Sequence, residues 1–183
     1  MSLSKKNAEV VGNPIRREIL QGDPKKGYKL TGFSLNKPVM LVMGGSTGAQ
    51  SLNKLVEAIL PKLLKKTQVV HVTGSRGEGR GYRMKNYKAF EFLNEELAHV
   101  YAITDIVVSR AGSGSIFETL ACHKPMILIP LPAYASRGDQ IENARVFEEH
   151  GWAIALNQEG LKSETLFEHI ELLLKNRELR EKM

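Results

Sequence analysis

Residues 105–118 read Asp105-Ile-Val-Val-Ser-Arg110-Ala-Gly112-Ser-Gly114-Ser115-Ile-Phe-Glu118, and the order of residue types in them sets the fold class. The apolar and small residues after Asp105 fit a strand covered on both faces. Gly112 and Gly114 suit a tight turn and a close approach of backbone to a ligand. With Ser113 between the two glycines, Ser115 reads as the opening of a helix, whose first N–H groups lack internal partners and attract anions. Glu118 stands one turn further on, placed to accept hydrogen bonds from a sugar diol. Ser115-x-x-Glu118 is equally a capping box, in which serine and glutamate satisfy each other's backbone donors. Taken alone, the segment leaves a nucleotide-sugar pocket and a plain capped turn both open.

Working outward, strand and helix patterns alternate along the chain. Val39–Met43 is an apolar strand that runs into Gly44-Gly45-Ser46-Thr47-Gly48. Leu52, Leu55, Val56, Ile59 and Leu60 recur with helical spacing, and Pro61 follows them. Further strands are expected at 69–73, 89–93, 105–109, 126–130 and 152–156. Helices are expected at 95–103, 115–122, 140–150 and from Ser163 through Leu174. Repeated strand–helix units with short links predict one doubly wound α/β domain, a Rossmann-like sheet of about six parallel strands with helices on both faces. Within it, residues 11–175 form the domain, 1–10 read as a tag or linker, and 176–183 begin a C-terminal helix.

Ligands of such folds sit outside the carboxyl ends of the strands. Three polar turns fall there: 44–48, 112–115 and Arg137-Gly-Asp139-Gln140. The first lacks the lysine of a Walker A loop and is not a strict G-x-G-x-x-G. Its backbone N–H groups, with Ser46 and Thr47, still suit a diphosphate, although a tight turn with a helix cap explains the same residues.

Composition excludes several other classes. The chain has 183 residues, 42% apolar and 25% charged, enough for one sizeable core. A single Cys122 excludes an internal disulfide, suits a reducing compartment and reads as core filling rather than as a nucleophile; Trp152 reads as core too. No apolar run approaches the ~20 residues of a membrane span, and Met1-Ser-Leu-Ser-Lys-Lys lacks the apolar core of a signal peptide, so a cytoplasmic chain is expected. The net charge of +6 is uneven. Residues 1–37 hold eight Lys/Arg against three acids, and Arg76, Arg80, Arg83, Lys85 and Lys88 are opposed only by Glu78. Such patches favour phosphates or an anionic membrane surface, but no zinc-finger, aromatic RNP-like or basic-zipper pattern points to nucleic acid. The five histidines are scattered, and there is no Asp-x-Asp pair to clamp a divalent ion on a diphosphate. No metal or other cofactor is expected, and no residue stands out as acid, base or nucleophile.

Four motifs, in order and at consistent spacing, resemble one family: Val11-Gly-Asn-Pro-Ile-Arg16, Gly44-Gly-Ser-x-Gly-Ala49, Ser109-Arg110-Ala-Gly112 with Glu118, and Asp139-Gln140-x-x-Asn143-Ala144. Together they look like the C-terminal half of the MurG family, the undecaprenyl-diphospho-muramoylpentapeptide β-N-acetylglucosaminyltransferases of glycosyltransferase family 28. The resemblance covers roughly residues 10–175. It implies half of a GT-B fold, in which two Rossmann-like domains face each other across a cleft. It further implies that Arg16, Gly44, Gly45, Ser46, Thr47 and Gly48 hold the diphosphate of UDP-N-acetylglucosamine, and that Glu118 binds the ribose hydroxyls. Arg110, Gly112, Ser113, Gly114 and Ser115 line the donor, with Ser115 capping its helix toward a phosphate. Backbone at Phe92, Leu93 and Asn94 pairs with the uracil edge, while Gln140 and Asn143 contact the sugar beside Asp139. Two departures stand out: Ala133-Tyr-Ala-Ser-Arg-Gly138 replaces further glutamines or a His-Lys-type residue, and Phe92-Leu-Asn-Glu-Glu-Leu97 is one residue longer than usual.

The implied function is donor binding for an inverting transferase of peptidoglycan synthesis, peripheral on the inner face of the cell membrane. The partner is an N-terminal domain that carries the acceptor site and the catalytic base, without which residues 1–183 are expected to transfer no sugar. The departures leave a diacylglycerol-type GT-B transferase, a GT-B-like sugar-nucleotide epimerase and a non-catalytic UDP-binding module as alternatives.

Overall fold

The computed structural model describes residues 9, 11–44, 50–75 and 84–183. The turn residues Gly45, Ser46, Thr47 and Gly48, and the basic residues Arg76, Arg80 and Arg83, lie outside the described residues.

Six short strands form the centre: β1 (Val39–Met43), β2 (Gln68–Val72), β3 (Tyr87–Phe90), β4 (Ile106–Ser109), β5 (Met126–Leu128) and β6 (Ala153–Ala155). All pairings are parallel, in the order β3-β2-β1-β4-β5-β6. The Val-Met-Leu-Val-Met run of β1 is buried throughout because this strand lies inside the sheet with helices on both faces. Alternate side chains divide between two cores. Met40, Val42, Val69, Ile106, Val108 and Ile127 face α2 (Gln50–Leu63) and α6 (Ser163–Lys175), meeting Leu52, Val56, Ile59, Leu60, Leu166 and Ile170. Leu41, Met43, Val70, Val107, Met126 and Leu128 face α3 (Glu96–Ile103), α4 (Ser113–Ala121) and α5 (Asp139–Glu149), through Val100, Tyr101, Ile116 and Phe147 among others. The doubly wound sheet expected from the sequence is therefore present, with helices on both of its faces.

Several local expectations need correction. Helix α2 takes in Pro61 and runs to Leu63. Proline brings no N–H to that last turn, yet Leu63 beyond it is fully buried, and that packing carries the helix through. Helix α4 opens at Ser113 rather than Ser115, with Gly112 as its N-cap. The Ser115 hydroxyl donates back to the Gly112 carbonyl at 3.1 Å, and Glu118 reaches a different partner, so the capping box is not formed. Strand β3 ends at Phe90, leaving Phe92 and Leu93 in the turn that follows. Trp152 is not core: it lies just before the edge strand β6, 36% exposed, stacked on His150 and edge-on to Phe147. Cys122 caps the end of α4, half-buried, with its thiol 3.8 Å from the Ile19 carbonyl.

Two elements lie where the sequence shows no clear periodicity: a 3-10 turn at Arg17–Gln21 and helix α1 (Pro24–Thr31). Asp23 caps α1 by accepting from the Lys25 N–H at 2.8 Å, Pro24 sits at its first position, and Gly32 closes it in the left-handed region at φ 72°. A short last helix, α7, spans Arg177–Lys182, capped by the Asn176 side chain. Helix α1 packs on α3 so closely that a Cβ at Gly27 would sit 2.3 Å from the His99 carbonyl oxygen. The same holds at Gly22 against Ala98. Because the obstacle is helix backbone, Gly27→Ala is expected to cost about 1–3 kcal/mol, the usual range for overpacking. Urea denaturation checks this; an unchanged midpoint would mean that α1 shifts away freely.

Candidate functional site

The strand order reverses between β1 and β4, which pair from Met40↔Ile106 to Met43↔Ser109. In open α/β sheets a ligand crevice lies outside the carboxyl ends at this point. Three described turns open there: buried Gly44 after β1, 110–112 after β4, and 129–138 after β5.

Residues 11–16 bring Arg16 to α4 across 102 positions of sequence. Its Nε donates to Glu118 Oε1 at 2.7 Å and its Nη2 to Oε2 at 3.0 Å, a two-point fork on the carboxylate. The Glu118 side chain is 12% exposed and that of Arg16 is 50% exposed. The hydrogen bond to Glu118 raises the guanidinium's pKa above its ordinary value. Asn13, in the same segment, makes a long 3.5 Å contact to the Ser113 carbonyl at the start of α4. The family resemblance implies different parts of one ligand for Arg16 and Glu118; the ligand-free chain joins them to each other.

The glycines of the β4–α4 turn are not there for backbone freedom. Gly112 has φ −71° and ψ 135°, which any residue adopts. A Cβ at Gly112 would meet only the Ser115 hydroxyl, at 3.6 Å, and one at Gly114 would meet nothing within 4 Å. Among the described residues, nothing fills the space above the first turn of α4.

Arg110 follows β4 and turns inward. It is 3% exposed; Nη1 donates to the carbonyls of Ile129 at 2.9 Å and Pro130 at 3.4 Å, and Nη2 to the Ser51 hydroxyl at 2.7 Å. Ser51, in the first turn of α2, donates in turn to Gln158 Oε1 at 2.8 Å. Neither Ser51 nor Gln158 stands out in the sequence, since a serine in a helical pattern and a glutamine in a polar loop carry no signal of their own.

Helix α5 begins after Gly138, whose φ of 87° only glycine adopts easily. Asp139 is exposed at its first position. Gln140 accepts from the Leu131 N–H at 3.1 Å, and the Asn143 amide donates to the Ala111 carbonyl at 3.0 Å. These two side chains thereby tie α5 to the turns after β5 and β4. Phe92, Leu93 and Asn94 follow β3 at the sheet edge; Phe92 is half exposed, and the Asn94 N–H faces a Glu96 carboxylate oxygen at 3.3 Å. The structure thus gathers Arg110, Gly112 to Ser115, Glu118, Arg16 and the first turn of α5 on one rim, with 92–94 two strands beyond β1.

Residues 39–183 match the glycosyltransferase family 28 C-terminal domain. The chain belongs to this family. Among its relatives is the UDP-N-acetylglucosamine–N-acetylmuramyl-(pentapeptide) pyrophosphoryl-undecaprenol N-acetylglucosamine transferase 2 of Bacillus cereus, 46% identical over 178 residues, which are 97% of this chain and 51% of that protein. The chain spans about half the length of the curated relatives it matches. Among solved structures, Acinetobacter baumannii MurG aligns with a TM-score of 0.68 at 24% identity, over 88% of this chain and 47% of that one. A Streptomyces glycosyltransferase complexed with thymidine diphosphate aligns at 0.59 and 14% identity, over 93% and 38%. At these identities the two structures speak for the fold. In this family 28 domain, no described helix is long and apolar enough to cross a membrane, and no described group of three or more His, Cys, Asp or Glu is placed to hold a metal ion.

Proposed function

We propose that this family 28 domain binds UDP-N-acetylglucosamine as the donor half of an inverting transferase. That enzyme passes N-acetylglucosamine to lipid-linked muramoyl-pentapeptide in peptidoglycan synthesis at the cytoplasmic face of the membrane. The observation that carries the reading is the Arg16–Glu118 pair beside the open first turn of α4, at the point where the strand order reverses. The activity named for the 46% identical relative supplies the substrate class. In the reaction the acceptor hydroxyl attacks the anomeric carbon and UDP departs. Arg16 keeps the Glu118 carboxylate turned toward the ribose diol and has N–H groups left over for the phosphates. Each carboxylate oxygen keeps a lone pair beyond the one the fork uses. The helix N-termini and Arg110 supply positive potential where charge collects on the leaving diphosphate, so binding needs no metal ion. The acceptor site and general base come from an N-terminal domain facing this one across a cleft, peripheral on the membrane.

Calorimetric titration tests the reading. UDP and UDP-N-acetylglucosamine are expected to bind equally well with and without EDTA, and UDP-glucose less tightly than UDP-N-acetylglucosamine. Glu118→Gln is expected to cost about 1–2 kcal/mol in UDP binding, the worth of a charge-assisted hydrogen bond. Thermal stability is expected to change less, since the pair it breaks is half exposed on the Arg16 side. Wild type should prefer UDP to its 2′-deoxy analogue, and Glu118→Gln should not. A preference unchanged by the substitution would remove the ribose role from Glu118, and binding abolished by EDTA would remove the metal-free pocket.

A further inference from the structure

Arg110 lacks, among the described residues, what a buried cation ordinarily has, a paired anion. Among the described residues its guanidinium meets three oxygens, two carbonyl and one hydroxyl, and none of them is charged. Its Nε is enclosed without a hydrogen-bond partner. Removing a cation from water costs several kcal/mol unless an anion repays it. The location adds to the cost, because Ser51 belongs to the first turn of α2, the positive end of a fourteen-residue helix. The backbone N–H of Arg110 is 3.3 Å from the Met43 carbonyl, so the residue adjoins the end of β1 where the glycine turn begins. Two positive features thus lie together at the switch point, with no anion among the described residues to answer them.

We propose that Ser51 and Gln158 are positioning residues that hold the buried Arg110 guanidinium beneath the donor diphosphate. The proposal rests on the donor-pocket reading. Arg110 acts through its field from within the core, while Ser51 fixes the guanidinium against α2 and Gln158 fixes the Ser51 hydroxyl. Burial lowers the Arg110 pKa from its ordinary value, the direction expected of a cation awaiting its counter-charge. A charge so placed is little screened by salt, and it distinguishes a nucleotide from its nucleoside, because only the former carries phosphates.

The test is titration of the full chain with UDP and with uridine, followed by NMR, with thermal melting in parallel. Ser51→Ala is expected to weaken UDP binding about tenfold, the worth of one hydrogen bond to a charged group, and to leave uridine binding unchanged. Ser51→Thr, which restores the hydroxyl, should recover UDP binding. Arg110→Lys keeps the charge and should retain more UDP affinity than Arg110→Gln. If Ser51→Ala does not fold, Gln158→Ala carries the same comparison, since it leaves the Ser51 hydroxyl on Arg110 and removes only its anchor. Equal loss of UDP and uridine binding would make the role purely structural and overturn the proposal. Unchanged UDP binding in Ser51→Ala and Gln158→Ala would overturn it while the donor pocket stands. A wild-type chain that binds neither ligand would remove the donor pocket and this proposal together.

Discussion

Acidification is expected to remove about 3 kcal/mol of folding free energy through one side chain, His71, because a tenfold change in proton affinity is worth about 1.4 kcal/mol. Burial in β2 lowers its pKa from 6.5 to about 4. The ring is fully buried. Nε2 lies 3.0 Å from Asn53 Oδ1 and Nδ1 lies 3.0 Å from the Tyr87 hydroxyl. Asn53 is oriented by its own amide, which donates to the Thr73 carbonyl at 3.0 Å. That leaves its oxygen facing the ring, so Nε2 carries the proton and Nδ1 accepts from Tyr87. A second ring proton would force the Tyr87 hydroxyl to turn from donor to acceptor around a buried charge. Because the folded pKa lies below the unfolded one, the contribution is complete above pH 6.5, falls as the pH drops, and is gone below about 4. Denaturant unfolding of wild type and His71→Gln across this window checks it. Equal pH slopes for the two proteins would assign the acid sensitivity to carboxylates instead.

The same residue shows where sequence reading stops. His71 is recognisable as one of five scattered histidines, but its partners lie 18 positions earlier on α2 and 16 later on β3. No local spacing joins them. Strands β1 and β4 are legible because burial on both faces demands continuous apolar runs, and both strands have them. Helix α1 is hidden for the opposite reason. Its sequence Pro-Lys-Lys-Gly-Tyr-Lys-Leu-Thr offers only Tyr28 and Leu30 as large apolar residues, both partly buried against the core; its buried residues are Gly27 and Thr31, with Gly27 in close backbone approach to α3. Asp23-Pro24 and Gly32 are its readable start and stop signals. Trp152 misleads because being next to a strand says nothing about whether that strand is an edge. At the site, chain order with the family resemblance picks out Arg16 and Glu118, yet a pairing over 102 residues is a tertiary fact. Ser51 and Gln158 become visible only once Arg110 is seen to turn inward.

Sugar transfer by residues 1–183 on their own is expected to fall at least ~10⁴-fold below that of a full-length relative. A positioned general base contributes ~10²–10⁴, and holding the acceptor hydroxyl in line with the anomeric carbon contributes more. Three described groups come into question for the base. Glu118 is forked by Arg16 and engaged as the ribose ligand in the proposed function. His71 is enclosed, with both ring nitrogens occupied. Asp139 is the remaining one, exposed at the first position of α5. The proposed function therefore expects the base in the half of the relatives' length that this chain does not span. The assay is transfer of radiolabelled N-acetylglucosamine to the lipid-linked acceptor, with the Bacillus cereus relative as positive control. Adding that relative's remaining half in trans should restore turnover where the two halves dock. Turnover by residues 1–183 alone near the control rate would place the base in this chain. Loss of that turnover in Asp139→Asn would then identify Asp139 as the residue that takes the proton.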